Sequence, residues 1–138
     1  LYQSLVKEKQ LFSQIECYHF GTVEEGLLTI EGKLVKGVKM EDAEKAVEEQ
    51  IDRMVQTVIL EKELTKVKNK TASAIAFEDM SVMSRANSLA FYELMGDAEL
   101  FHSDREKYFS ITTEDVLDYS RKIFDPRNSN TLYYLSKN

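Results

Sequence analysis

The chain has little of what small functional sites are made from. It holds one cysteine, Cys17, which excludes an internal disulfide and a cysteine-rich metal site. Its two histidines, His19 and His102, stand far apart, and neither has the neighbouring His and Glu that would set two imidazoles on one helix face around zinc. Five scattered glycines exclude a phosphate-cradling loop. No apolar run approaches the roughly 20 residues that a membrane-spanning helix requires. Positive charge is also short. The 18 Lys and Arg face 24 Asp and Glu, for a net charge of -6, which argues against a nucleic-acid partner because phosphates require a basic face.

What is present is ordinary for a soluble globular protein: 138 residues, 43% hydrophobic and 30% charged. That length predicts a single domain spanning 1–138, able to bury roughly two-thirds of the surface its unfolded chain exposes. The stretch from Leu60 to Met95, free of Pro and Gly, organises the rest. Leu64, Val67, Ala74, Ile75, Ala86, Leu89, Ala90 and Met95 recur at three- and four-residue steps, the period of a helix with one covered face. The stretch is too long for one globular helix, so a break is expected between Phe77 and Ser81, with Glu78, Asp79 or Ser81 recapping a second segment. Gly96 ends it in a left-handed turn. Of the apolar residues, Ile75, Leu89 and Ile123 are expected in the core.

Elsewhere the order reads helix, strand, strand, several helices, strand. Leu1, Tyr2 and Leu5 share a face of a short helical turn. Leu11 to Phe20 and Leu27 to Val35 alternate like an antiparallel pair joined by a turn from Gly21 to Gly26, and Gly37 ends the hairpin. Ala43, Ala46, Val47, Ile51, Met54 and Val55 mark a helix from about Glu41 to Gln56. Asp97 to Phe109 reads as a short helix and a loop carrying His102. Thr112 or Thr113 caps a further helix that turns Val116, Ile123 and Phe124 inward, Pro126 closes it, and Thr131 to Leu135 reads as a final strand. These elements predict an α+β fold, a mostly antiparallel sheet with helices packed on one face.

No catalytic constellation emerges. Cys17 lies on the side of Ile15 and reads as a small core residue, and Ser13, Ser73, Ser81 and Ser84 lie in no nucleophile signature. The carboxylates fall on solvated helix backs, as Glu44, Lys45, Glu48, Glu49 and Asp52 show.

Four segments, taken together and in order, carry a resemblance: Leu1-Tyr2-Gln3-Ser4-Leu5 with Glu8-Lys9; Glu63-Leu64-Thr65-Lys66-Val67-Lys68-Asn69; Leu89-Ala90-Phe91-Tyr92-Glu93-Leu94-Met95-Gly96-Asp97; and Ile111-Thr112-Thr113-Glu114-Asp115-Val116. Nearly end to end, the chain resembles the C-terminal half-unit of the insulinase-like (pitrilysin, inverzincin) zinc metallopeptidases. Family members pair two α+β half-units, the first carrying His-x-x-Glu-His, whose histidines bind zinc and whose Glu activates water. That motif is not in this sequence. The resemblance therefore implies no metal and no catalytic residue in this chain, with zinc in a partner half-unit of the same chain or of a homologous subunit, and a peptide substrate held in a chamber between the two. In many members the second half-unit donates an Arg and a Tyr, seven residues apart, toward the scissile carbonyl. Val6 stands at the Arg position and Ser13 at the Tyr position. Val carries no charge, and a Ser hydroxyl is too short to replace a phenol. The resemblance thus implies a non-catalytic chamber wall, inactive by itself. The alternative is a structural assembly subunit of the same fold with no proteolytic role. It further implies a strand and a helix ahead of Leu1, and bacterial members occur both in the cytoplasm and across the envelope.

Overall fold

The computed structural model describes residues 1–21 and 25–135, and the backbone alone at positions 104 and 105. The chain forms two compact units, Leu1–Thr57 with Leu117–Asn138, and Val58–Val116. The architecture is mixed α+β, as the sequence predicts.

The first unit is built around Leu5. Residues Tyr2–Glu8 form a π-helical segment, closed by the Lys9 amide donating to the Ser4 carbonyl at 2.9 Å, and this wider turn directs Leu5 into full burial. Tyr2, expected on the same face, is instead exposed, with the Lys7 ammonium 5.5 Å from its ring centroid. Gln10, in the left-handed region at φ 51°, reverses the chain into the sheet. Strand β1 (Phe12–Phe20) then pairs antiparallel with β2 (Leu27–Leu34), placing Ile15 opposite Gly32 and Phe20 opposite Leu27. The connecting residues 22–24, where a turn is expected, lie outside the described residues.

One irregularity sets the core face. Phe12 pairs with Leu34 and Gln14 with Lys33, so Ser13 is the extra residue of a β-bulge. A regular strand would send Phe12 and Ile15, three positions apart, to opposite faces. The bulge brings both inward, and both are buried. Gly32 receives the Phe12 ring: a Cβ there would meet a ring carbon at 2.5 Å. Helix α1 (Met40–Gln56) packs on this layer through Ala43 and Ala46, whose small side chains allow close approach. Val6, Leu34, Val38 and Val47 flank that core. Gly37, at φ 92°, ends the hairpin as expected. The unit is tied by Arg121 Nε donating to the Val55 carbonyl at 3.1 Å and by the Tyr133 phenol donating to Glu44 at 2.5 Å, which holds the phenol's pKa above its usual range.

The second unit contains α2 (Glu61–Asp79), α3 (Val82–Leu94) and α4 (Leu100–Ser110), and α5 (Thr113–Ile123) begins in it. The long tract breaks where expected: Ser81 caps α3, its hydroxyl accepting from the Ser84 amide at 3.2 Å. Gly96, at φ 112°, closes α3, with its amide donating to Glu93 and that of Asp97 to Tyr92, the paired bonds of a Schellman turn. Thr112 and Asp115 cap α5 reciprocally. The Asp115 amide donates to the Thr112 hydroxyl at 3.1 Å and the Thr112 amide to the Asp115 carboxylate at 2.8 Å.

Several expectations change. Residues 131–135 enter no sheet among the described residues, because strand-forming side chains need a neighbouring ladder to become a strand. The loop expected before Ser110 is helical, so His102 stands on α4. Leu89 is 38% exposed and Ile123 48%, while Ile75 is half-buried. The inward row of α3 is Ser84, Ser88 and Tyr92, a step round the helix from Leu89. On α5 the buried row runs through Thr113 and Ser120, and Ile123 falls at its edge. The terminal proline reads correctly: Asp125 is extended before it, α5 has ended at Ile123, and Pro126–Asn128 forms one 3-10 turn.

Candidate functional site

The two positions singled out by sequence, Val6 and Ser13, belong to the first unit and flank the turn at Gln10. Val6 lies in the π-helical segment, half-buried against the Leu5 core. Ser13 is exposed at the bulge, where its hydroxyl donates to the Lys33 carbonyl at 3.0 Å. That carbonyl is on the partner strand, and the bond holds the extra residue in place. Each side chain therefore has a structural task. Neither presents a cation or a long hydroxyl to a substrate.

The π-helical segment and α1 line an open cleft of about 550 Å³, with Ser4, Glu8, Glu49, Asp52 and Arg53 among its residues. Lys9 crosses it to Glu49 at 2.7 Å. The hydrogen bond from Lys9, and then its charge, hold the Glu49 carboxyl below its usual pKa, further from the near-neutral value that general acid–base work needs. Both partners are largely solvated, so the bridge is screened and contributes little to stability. The cleft offers paired charges open to water, with no nucleophile set against a base.

The remaining candidates are dispersed. His19 is exposed on β1, opposite Leu28. His102 is exposed on α4, its ring edge-on to Phe101 at 5.1 Å. Cys17 is exposed rather than a core residue, because it lies along β1 beyond the reach of the Phe12 and Ile15 packing. Desolvation raises its thiol pKa, which lowers its thiolate fraction. Among the described residues, no group of three or more His, Cys, Asp or Glu is placed to hold a metal ion, and no helix is long and apolar enough to cross a membrane.

Sequence reasoning missed the bulge and the left-handed Gln10. A signal for the first was present: Phe12 and Ile15 are both large and apolar, yet sit at a spacing that an unbroken strand cannot place on one face.

No protein-family model matches the chain, and no curated protein matches it either. Solved structures do. The chain is similar to a protease from Helicobacter pylori, with a TM-score of 0.77 and 19% sequence identity over 89% of this chain. The match spans 30% of the length of that protease. At this identity the likeness establishes the fold alone.

Proposed function

We propose that the chain is a non-catalytic domain of an insulinase-like zinc metallopeptidase, forming one wall of a peptide-binding chamber opposite a zinc-bearing half-unit. The observation that carries this reading is the superposition of nearly the whole chain on about a third of a protease, which is the relation of a domain to a larger peptidase. The four sequence segments that resemble the C-terminal half-unit of that family agree with it. The structural employment of Val6 and Ser13 supports the non-catalytic part. An Arg and a Tyr at those positions would donate hydrogen bonds to a developing oxyanion, a contribution whose loss typically costs about a hundredfold or more in rate. Val6 instead fills the core margin and Ser13 pins the bulge. Zinc and the general base belong to the partner half-unit, in the same chain or a homologous subunit.

The test is peptide cleavage in the presence of zinc, measured with a quenched fluorescent peptide. This chain is assayed alone, and the whole gene product is assayed alone and mixed with a zinc-bearing homologue from the same genome. The expected result is silence from this chain, no tight zinc binding in equilibrium dialysis, and cleavage only when the zinc-bearing half-unit is present. Stoichiometric zinc and cleavage by this chain alone would overturn the non-catalytic assignment. Stable assembly with the homologue, without cleavage of any peptide in a diverse library, would favour the assembly subunit.

A further inference from the structure

The hairpin has two faces, and its core packing uses one of them. Ile15 and Ile30 belong to the inward face, packed in the Leu5 core with α1. Strand side chains alternate, and residues directly opposite one another share a face. The register therefore lines the outward face with consecutive cross-strand rows: Glu16 opposite Glu31, then Tyr18 opposite Thr29, then Phe20 opposite Leu27. Side-chain bonds agree with that order. Gln14 Nε2 donates to Glu16 at 2.7 Å, and the Tyr18 phenol donates across the strands to Glu31 at 3.4 Å. Both carboxylates are exposed, and so are Tyr18, Phe20 and Leu27.

Two rows of this face work against the stability of an isolated hairpin. Phe20 and Leu27, 68% and 66% exposed, are an apposed apolar pair left in water. Glu16 and Glu31 are like charges directly opposite, which destabilises a strand pair. Neither has an ion-pair partner among the described residues, and the donors they do have, Gln14 and Tyr18, are neutral. Lys33 lies one row further on, opposite Gln14, and forms no ion pair with either carboxylate. The face therefore has an apolar end and an anionic row four residues away, about 13 Å at the strand rise, with the Tyr18 ring between them. A Lys or Arg head placed between Glu16 and Glu31 relieves their repulsion, its aliphatic stem lies along Tyr18, and an apolar neighbour covers Phe20 and Leu27. A second copy of the chain is a poorer match, because it sets one net negative face against another. We infer that the outward face of the β1–β2 hairpin is a docking site for a segment of another polypeptide that carries a Lys or Arg within about 13 Å of an aliphatic or aromatic side chain. The inference is independent of any chamber role, since it uses only residues of the hairpin.

The test uses the full chain and three synthetic peptides of about ten residues, long enough to span the face when extended. The first carries Leu, Phe and Lys, the second replaces each Lys by Glu, and the third keeps Lys but replaces Leu and Phe by Ser. Binding is read by fluorescence anisotropy. The first peptide is expected to bind about tenfold or more tighter than either of the others, and its advantage over the Glu peptide should shrink as salt is added. The double variant Glu16→Gln and Glu31→Gln keeps the acceptors of Gln14 and Tyr18 while removing the charge, and should weaken the first peptide about tenfold with an unchanged circular dichroism spectrum. The double variant Glu16→Lys and Glu31→Lys should reverse the preference, so that the Glu peptide binds more tightly than the Lys peptide. The peptide comparison uses the unmodified chain, so it stands whatever the variants do to stability. Equal binding of the three peptides, binding of none, or an unaltered preference in folded variants would each overturn the inference. So would a dimer of this chain that Phe20→Thr with Leu27→Thr dissociates, because the occupant would then be a second copy.

Discussion

The two units use similar amounts of apolar sequence to different ends. In Leu1–Thr57 with Leu117–Asn138, the π-helical segment, the bulged hairpin and α1 converge on Leu5, Phe12, Ile15, Ala43 and Ala46. In Val58–Val116 the buried apolar residues are Leu64 and Phe101, while Phe77, Val82, Met83 and Leu94 stand in water. A closed core forms where elements of different geometry, a strand pair and a helix, interlock through small residues and a bulge. A row of helices joined by short caps satisfies its backbone without burying every apolar stripe, which leaves one face available.

This contrast can be broken by mutation. The largest effect is expected at the centre of the first unit: Leu5→Ala should cost about 2 to 5 kcal/mol, the range for emptying a fully buried leucine site. Urea denaturation of the purified variant measures it. A loss below about 1 kcal/mol would mean the first unit is packed no better than the second.

Next comes the fit of Phe12 over Gly32. Gly32→Ala pushes a methyl against the ring at a distance no Cβ tolerates, and should cost about 1 to 3 kcal/mol. Adding Phe12→Leu should recover part of the loss in a double-mutant cycle. Strictly additive losses would show that the ring does not occupy that space.

In the second unit the effects should come from helix ends rather than from core. Thr112→Ala removes the hydroxyl that accepts the Asp115 amide, at about 1 kcal/mol. Bonds from the Thr112 amide and then its hydroxyl lower the pKa of Asp115 in the folded state. A carboxyl depressed on folding stabilises above its unfolded pKa, and that contribution fades as pH falls through the folded value. Asp115→Asn should therefore flatten the acid limb of the melting-temperature profile and leave its shape at neutral pH unchanged. An identical acid limb in the variant would remove Asp115 from the cap.

The smallest effect is expected on the outward face of α3, where Leu94→Glu should change stability by no more than about 0.5 kcal/mol in thermal denaturation. A loss as large as that of Leu5→Ala would show that Leu94 is core.

Much of this fold is legible without coordinates, and the legible part is local. Rough period-two alternation locates β1 and β2, a cap among Glu78, Asp79 and Ser81 and then Gly96 punctuate the long helical tract, and Thr112 or Thr113 announces α5, because strand pleat, capping side chains and left-handed glycine act over a few residues. The mixed α+β class follows from the order of those elements. The sequence also shows that Val6 and Ser13 cannot act as an Arg and a Tyr, since that depends only on which atoms they carry. Tertiary structure decided the rest. A three- or four-residue period identifies a helix without saying which side a neighbour will cover, so Leu89 and Ile123 were assignable to the core by pattern and stand half in water in the fold. Thr131 to Leu135 has the composition of a strand, but a strand exists only when another backbone accepts its hydrogen bonds, and no described backbone does. Ser13 became a bulge residue only through its pairing with Lys33 across the hairpin. In each case the deciding partner is remote in sequence, and packing, unlike propensity, is a property of pairs.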